Sequence, residues 1–477
     1  MRYILYSILF NFLLFSHAIN AQENQRHRVV VLTDIENEPD DTQSMVRLLL
    51  YSNVIELEGL IATTSVWKKT SVAPGSIIKI IEAYGKVQPN LNKHEAGFPA
   101  AELLLSKVKR GIAKYGMEGV GDDYDSEGSE WIIQVLEKND ERPLWVSVWG
   151  GVNTLAQALY KIRKTRSDTE AKRLISKLRV YTISDQDDSG FWIRENFPDL
   201  FFIVSPGDDY GSATWSAINT VVEGINNERI SNHWLAQNIQ QGHGPLGAAY
   251  PDVAYGMEGD TPSWLLLIQN GINIPEHPEW GGWGGRYELY KPDITTIRKG
   301  GSGVPLKPET RAIWTNAIDS YIAYSYSEFG RAVKPEKVSY SNNKVSLWRW
   351  RDEFQNDFAA RMDWCTKSYQ EANHPPVPVL GHPEEITVKS GEGFSFDASN
   401  SSDPDGDNLS FLWFHYPEAG SYKELIKINS AENAHGAYVI APEVKQKETA
   451  HFILKVTDKG EPALTRYKRV IVNILPE

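Results

Sequence analysis

The sequence predicts an α/β fold, a mainly parallel sheet with helices on both faces, followed by a small C-terminal all-β Ig-like sandwich. Three observations carry this. Short apolar runs alternate with segments of helical periodicity from residue 28 to about 204. A proline pair, Pro375-Pro376, then breaks the chain. Beyond it the pattern turns to short alternating strands separated by turn residues.

Taken in order, residues 28–32 read as a strand buried on both faces, because Val29, Val30, Val31 and Leu32 follow one another without a polar break. Residues 42–52 place Met45, Val46, Leu48 and Leu49 at helical spacing. Residues 55–63 form a second strand, and 77–84 and 100–113 two helices. A third buried strand, 144–148, leads into a helix at about 154–164. Strands at 178–183 and 200–204 continue the βαβ rhythm. From 212 to 325 the chain is rich in Gly, Trp and His and less periodic, which predicts helices and long functional loops packed on the sheet. Residues 338–363 close this domain. Strands at 385–389, 393–397, 409–414, 437–440, 451–457 and 467–475 make a sandwich of roughly 100 residues. The expected division is therefore 1–21 signal peptide, 26–372 α/β domain and 373–477 sandwich.

A chain of 477 residues exceeds one ordinary core. Its net charge of -13 excludes a general attraction to nucleic acid or anionic membranes and favours a neutral, sugar-like small molecule or polysaccharide. Arg2, the apolar run 4–15 and the small residues Ala18 and Ala21 read as a signal peptide, too short to span a bilayer comfortably. The expected location is secreted or periplasmic. The single cysteine, Cys365, rules out an intrachain disulfide and reads as a small buried apolar residue.

The segment 31–42 holds Asp34, Glu36, Glu38, Asp40 and Asp41, directly after a buried strand and before a helix. Ligands of open α/β sheets sit at such strand ends. So many carboxylates repel one another unless a cation lies among them, and all-oxygen ligands favour Ca²⁺ or another hard divalent ion. Helix capping explains one aspartate but not Asp34 as well. A second cluster, 240–247, contains His243, either an acid for a leaving group or a plain turn histidine. A third, 280–287, offers Trp283 to stack on a sugar and Arg286 to orient a hydroxyl or carboxylate, with glycine-rich packing around core tryptophans as the alternative. The acidic turn 403–407 reads as an Asx-rich turn, with calcium there as the alternative.

The first segment resembles the nucleoside hydrolase family, whose first strand ends in D-x-D-x-x-x-D-D. Asp34 takes the first place, Glu36 the second, and Asp40-Asp41 the final pair. The likeness is closer to the nucleoside-hydrolase-like domain of secreted proteins described as cellulose-binding. There a T-D-I-x-N-E-P-D-D motif opens the domain and an Ig-like domain closes the chain. The stretch 148–154 is similar to the family's T-G-P-L-T-N loop, where a backbone carbonyl ligates calcium, implying that of Trp149. The stretch 258–263 looks like the late His-Asp segment, implying Asp260 as a ligand. Residues 184–194, with Asp187 and Asp188, occupy the place of the sugar-gripping loop. Two departures stand out: Glu36 replaces the aspartate that serves the family as base, and Gly259 replaces a histidine.

The resemblance implies a Ca²⁺ site of Asp34, Asp41, Asp260 and the Trp149 carbonyl. Asp34, with Glu36 as rival, would take a proton from the water attacking an anomeric carbon, while Asp40 and Asn37 hold sugar hydroxyls. The expected activity is secreted, metal-dependent hydrolysis of N- or O-glycosidic bonds of a furanoside or plant-type saccharide. The alternative is a non-catalytic carbohydrate- or cellulose-binding protein on the same fold.

Overall fold

Val29, Val30, Val31 and Leu32 are all fully buried, and they alternate between two cores. They lie on β1 (His27–Thr33). Val29 and Val31 belong to the core that holds Met45, Val46 and Leu49 of α1 (Pro39–Leu49) and Ile77 and Ile81 of α2 (Pro74–His94). Val30 and Leu32 belong to the core that holds Ile132 and Ile133 of α3 (Glu127–Glu137) and Leu155 and Leu159 of α4 (Asn153–Thr165). A strand side chain points to alternate faces, so an unbroken apolar run is what a strand covered on both sides requires. Each such burial is worth about 2 kcal/mol of transfer free energy.

The computed structural model describes residues 26–211, 214–297, 300–322, 325–326, 332–333 and 339–477. The signal peptide expected at 1–21 lies outside the described residues. The main sheet contains β1, β2 (Ile55–Ala62), β3 (Val108–Arg110), β4 (Leu144–Val148), β5 (Leu178–Thr182), β6 (Phe201–Val204), β7 (Tyr287–Tyr290) and β8 (Ile313–Asn316) in the order β3-β2-β1-β4-β5-β6-β8-β7. All pairings are parallel except that of β7 with β8. The strand order runs outward in opposite directions from β1 and β4. Their carboxyl ends therefore flank the point where the connections diverge, the place such sheets leave open for ligands.

Two expectations are corrected. The helix expected over 100–113 ends early: Ala101–Ser106 is helical, and Val108–Arg110 instead joins the sheet edge beside Leu60–Ala62 of β2. The glycine-rich stretch 212–325 is not only loops on the sheet. It contributes β7 and β8 to it, and β9 (Asp319–Ile322) pairs with β12 (Ser339–Asn342) as β10 (Ser325–Tyr326) pairs with β11 (Ala332–Val333). Helices α5 (Ser189–Asn196) and α6 (Arg351–Asp363) complete the elements that matter for the site. Among the described residues no helix is long and apolar enough to cross a membrane.

The C-terminal region is all β: β13 (Glu385–Lys389), β14 (Gly393–Asp397), β15 (Ser410–His415), β16 (Ile428–Asn429), β17 (Gly436–Ile440), β18 (Glu448–Thr457) and β19 (Thr465–Leu475). They form sheets β13-β19-β18-β15 and β14-β17-β16 around Trp413, which stacks on Phe396 at 4.7 Å. In the acidic turn, Asp403 Oδ1 accepts the N–H groups of Asp405 and Asp407, and Asp405 accepts the N–H of His374 at 2.7 Å. The turn's aspartates thus serve its own backbone and the linker.

The loop 280–287 is where the sandwich is seated. Arg469 of β19 donates from Nη2 to the carbonyls of Ile272, Trp280 and Gly281 at 3.0–3.1 Å. A Cβ on Gly281 would lie 2.5 Å from the Tyr416 hydroxyl, so the glycine permits the close approach. Trp283, expected to stack on a sugar, is fully buried and edge-on to Phe354 and Tyr467. Arg286, expected to orient a substrate group, spends its guanidinium on Asp319, Glu288 and the Ile318 carbonyl. Both belong to the seat between the two regions, not to an open cleft.

Candidate metal centre at the sheet switch point

Asp34 follows β1 directly, and Gly150 follows β4. A Cβ on residue 150 would lie 2.7 Å from Asp34 Oδ1, so glycine there lets the carboxylate lie across the neighbouring strand end. Ser65, after β2, fixes the same carboxylate. Its Oγ accepts the N–H groups of Trp67 and Lys68 at 3.1 and 3.2 Å, and its hydroxyl is hydrogen-bonded to Asp34.

The chain then turns into α1. Pro39 occupies the first helical turn, and Asp40 and Asp41 follow it, both buried. Thr33 donates its hydroxyl to Asp41. Asp40 Oδ2 accepts the indole N–H of Trp215 at 2.7 Å. The third aspartate arrives from far along the sequence. Arg47 Nη1 of α1 binds Glu258 Oε2 at 2.7 Å, Gln43 accepts the Glu258 N–H at 2.9 Å, and Tyr250 donates to Glu258 at 2.8 Å. This buried tether brings Asp260 against the first turn of α1. One oxygen each of Asp40, Asp41 and Asp260 then lie within 4.8 Å of one another.

The electrostatics of this cluster are one-sided. Burial first, then the neighbouring carboxylates, pushes Asp41 and Asp260 well above the usual carboxylate range. Burial raises Asp34 and Asp40 to about 6, against the opposing hydrogen bonds of Ser65 and Trp215 respectively. Glu38 is raised to about 7 by burial and by Asp40 and Asp34. Asp260 Oδ2 is buried with no hydrogen-bond partner among the described residues. Buried carboxylates converge here, and one oxygen is left without a donor. A divalent cation fits such a donor set, and its charge removes the repulsion that otherwise forces protons onto it.

Other expected site residues fall differently. The Trp149 carbonyl accepts from Gln186 Nε2, while its indole is buried and donates to Ser147 at 2.9 Å. Asn37 stays in the turn after β1, its N–H on the Asp34 carbonyl at 3.3 Å. Glu36, the rival base, takes a left-handed conformation with φ 81° and turns outward. It bonds Ser76 and Lys68, and the Ser76 hydroxyl holds its carboxyl below the usual range. Asp187 sits at this edge, but its oxygens accept the Ser189 and Asn153 N–H groups at 2.9 and 3.1 Å and so cap α5 and α4. Asp188 accepts the Met117 N–H at 2.8 Å.

His243 is not brought to this edge. Its Nε2 lies 3.1 Å from Asp363 at the end of α6, and the adjoining Gly244 abuts Val87 of α2. Val87 lies about 16 Å of helix beyond Ser76, the residue beside Glu36. A histidine beside glycines is compatible with either place, and only the packing of its segment against α2 and the end of α6 selects one.

Three residues with a part in the site were missed: Trp215, Arg47 and Glu258. Gly259 carried the signal for one of them. A Cβ there would overlap the Trp215 ring, so the histidine expected from the family likeness is replaced by space that an indole fills.

Comparison with known proteins agrees with this architecture. Residues 28–287 match the family described as "Cellulose-binding Sde182, nucleoside hydrolase-like domain", and residues 393–474 match "Cellulose-binding protein Sde0182, C-terminal domain". A solved structure of a nucleoside hydrolase-related hypothetical protein from Saccharophagus degradans, described as associated with carbohydrate metabolism, is 36% identical with a TM-score of 0.78. It covers 94% of this chain and 100% of its own. The PKD domain from KIAA 1837 protein is 23% identical over 22% of this chain and 92% of its own, with a TM-score of 0.17. The effector protein XOO4466 is 9% identical over 74% of this chain and 99% of its own, with a TM-score of 0.34. Neither of these two bears on function. No curated protein matches the chain.

Proposed function

The chain belongs to the Sde182 nucleoside hydrolase-like family, and from that premise we propose that it is a secreted, Ca²⁺-dependent hydrolase of glycosidic bonds in a plant-type saccharide or furanoside. One observation carries the reading: four buried aspartates, Asp34, Asp40, Asp41 and Asp260, converge at the sheet's switch point with an oxygen of Asp260 unpaired. Asp41, Asp260 and Asp40 would hold the ion. Bound there, a hard divalent cation supplies a positive charge that acidifies water and anchors sugar hydroxyls.

The chain's own groups do the rest. Asp34, held by Ser65, accepts the proton of the attacking water. The water oxygen bonds to the anomeric carbon, the glycosidic bond breaks, and the leaving group takes a proton from solvent. Asp40, oriented by the Trp215 indole, faces a sugar hydroxyl. The buried carboxylates stabilise the positive charge that develops on the ring.

A second reading, saccharide binding without turnover, is favoured by a separate pair of observations. Glu36 turns away from the cluster, and Trp215 fills the space above Gly259. Sugar release from nucleosides, furanosides and plant oligosaccharides, with calcium or with chelator, decides between them. Hydrolysis predicts calcium-dependent release that falls ~10²–10⁴-fold in Asp34→Asn, the usual worth of a general base. Full activity in Asp34→Asn overturns the base assignment, and retention on cellulose with no release from any substrate selects the binder.

A further inference from the structure

Three aromatic rings lead from the surface to the carboxylate cluster. Trp67 is 49% exposed. Its indole N–H donates to the Tyr210 hydroxyl at 3.1 Å, with ring centroids 6.3 Å apart. Tyr210 meets Trp215 edge-on at 5.7 Å. Trp215 in turn donates to Asp40.

We propose that Trp67, Tyr210 and Trp215 form the binding wall for a neutral oligosaccharide chain whose terminal residue reaches the aspartate cluster. The proposal rests on the saccharide reading above and adds the place where a chain of sugar residues lies.

Both indole N–H groups are already paired within the protein, Trp67 with Tyr210 and Trp215 with Asp40. The rings therefore offer their faces and edges, not their hydrogen-bond donors. Apolar C–H faces of sugar rings are the complement of an aromatic face, and sugar hydroxyls are the complement of the carboxylates at the inner end. The ring-to-ring steps are comparable to the length of one sugar residue. An anionic ligand would meet the acidic cluster unfavourably. The wall is open at Trp67, so a chain can continue past it into solvent. The Trp67–Tyr210 and Trp215–Asp40 hydrogen bonds fix the rings before binding, which lowers the ordering cost of a stacked contact.

The test uses the full chain loaded with calcium and cellohexaose as the probe, with affinity read by calorimetry and the calcium-induced thermal shift read in parallel. Trp67→Ala should weaken cellohexaose binding by tenfold or more, Trp67→Phe should restore most of it, and both should keep the wild-type calcium shift. Unchanged affinity in Trp67→Ala overturns the wall and leaves the carboxylate reading standing. A wild-type chain that binds no cellohexaose yet releases sugar from nucleosides also overturns the wall alone. Loss of the calcium shift in the wild type counts against the carboxylate site itself.

Discussion

Replacing Asp260 by asparagine should make the ion-free protein more stable and the calcium response disappear. The carboxylate oxygens of Asp260, Asp40 and Asp41 lie within 4.8 Å of one another. At an effective dielectric constant near 20, each ionised pair at that distance repels by about 3.5 kcal/mol. Asp260 faces two such partners, so full ionisation would cost about 7 kcal/mol. Protonation limits this. Forcing a proton onto a carboxyl with an ordinary value of 3.8 costs about 6 kcal/mol at pH 8. Asp260→Asn removes the charge and keeps the shape, so the chelator-treated variant should gain roughly 2–6 kcal/mol. A domain of roughly 350 residues shifts about 1.4 °C per kcal/mol, which gives a rise of about 3–8 °C in Tm. The wild type should instead gain about 2.7 kcal/mol from calcium at a hundredfold excess over its Kd, or about 4 °C. Differential scanning fluorimetry at pH 8 with EGTA and with CaCl₂ measures both. A variant less stable than wild type in EGTA, and still stabilised by calcium, would refute the argument that these aspartates share one ion.

Three further outcomes follow from the same geometry. Gly150→Ala places a Cβ 2.7 Å from Asp34 Oδ1 while Trp149 and Gly151 are held by backbone bonds to Leu32 and Thr64 at 2.8 Å. Urea melts should show a loss of about 1–3 kcal/mol, with turnover falling as Asp34 is displaced; wild-type values for both would mean that Asp34 is not pinned there. Glu258→Gln leaves the buried Arg47 guanidinium without its counter-charge and should cost about 3–5 kcal/mol while weakening the calcium shift; an unchanged melt would show that Gln355 and the Phe354 carbonyl satisfy Arg47. His451 is held down at about 3, first by burial and then by Arg469. Its folded-state value lies below the unfolded 6.5, so its effect is absent above pH 6.5 and stability is lost as pH falls toward 3. At pH 5 the loss is about 2 kcal/mol. The acid limb of a stability–pH curve should flatten in His451→Gln, and a limb that stays as steep assigns the loss to other groups.

Much of the sheet was legible because burial on both faces demands an uninterrupted apolar run, as at Val29–Leu32 in β1. The acidic motif was legible because five acidic residues in eight are unusual right after such a strand. Asp260 was accessible only through family likeness, since no local pattern says that a turn at 258–261 will be tied to α1 by Arg47 and Gln43. The outward turn of Glu36 was hidden because it depends on a left-handed backbone and on Ser76 from another helix. Trp283, Arg286 and His243 were misplaced for a common reason. Glycine beside an aromatic or charged residue signals close backbone approach, and composition does not tell whether the approaching group is a sugar, a neighbouring helix or a second domain. The helix expected through residue 113 failed because Val108–Arg110 found a strand edge to pair with, a long-range contact that overrides local periodicity.

The tether between Arg47 and Glu258 spans 211 residues of chain. A half-formed domain therefore offers only Asp40 and Asp41, and the third carboxylate arrives when the last long-range contacts close. Ion capture is then a late event in folding. It should leave the rate of reaching the native state nearly untouched and act instead on the rate of leaving it, so that calcium prolongs the lifetime of the finished molecule.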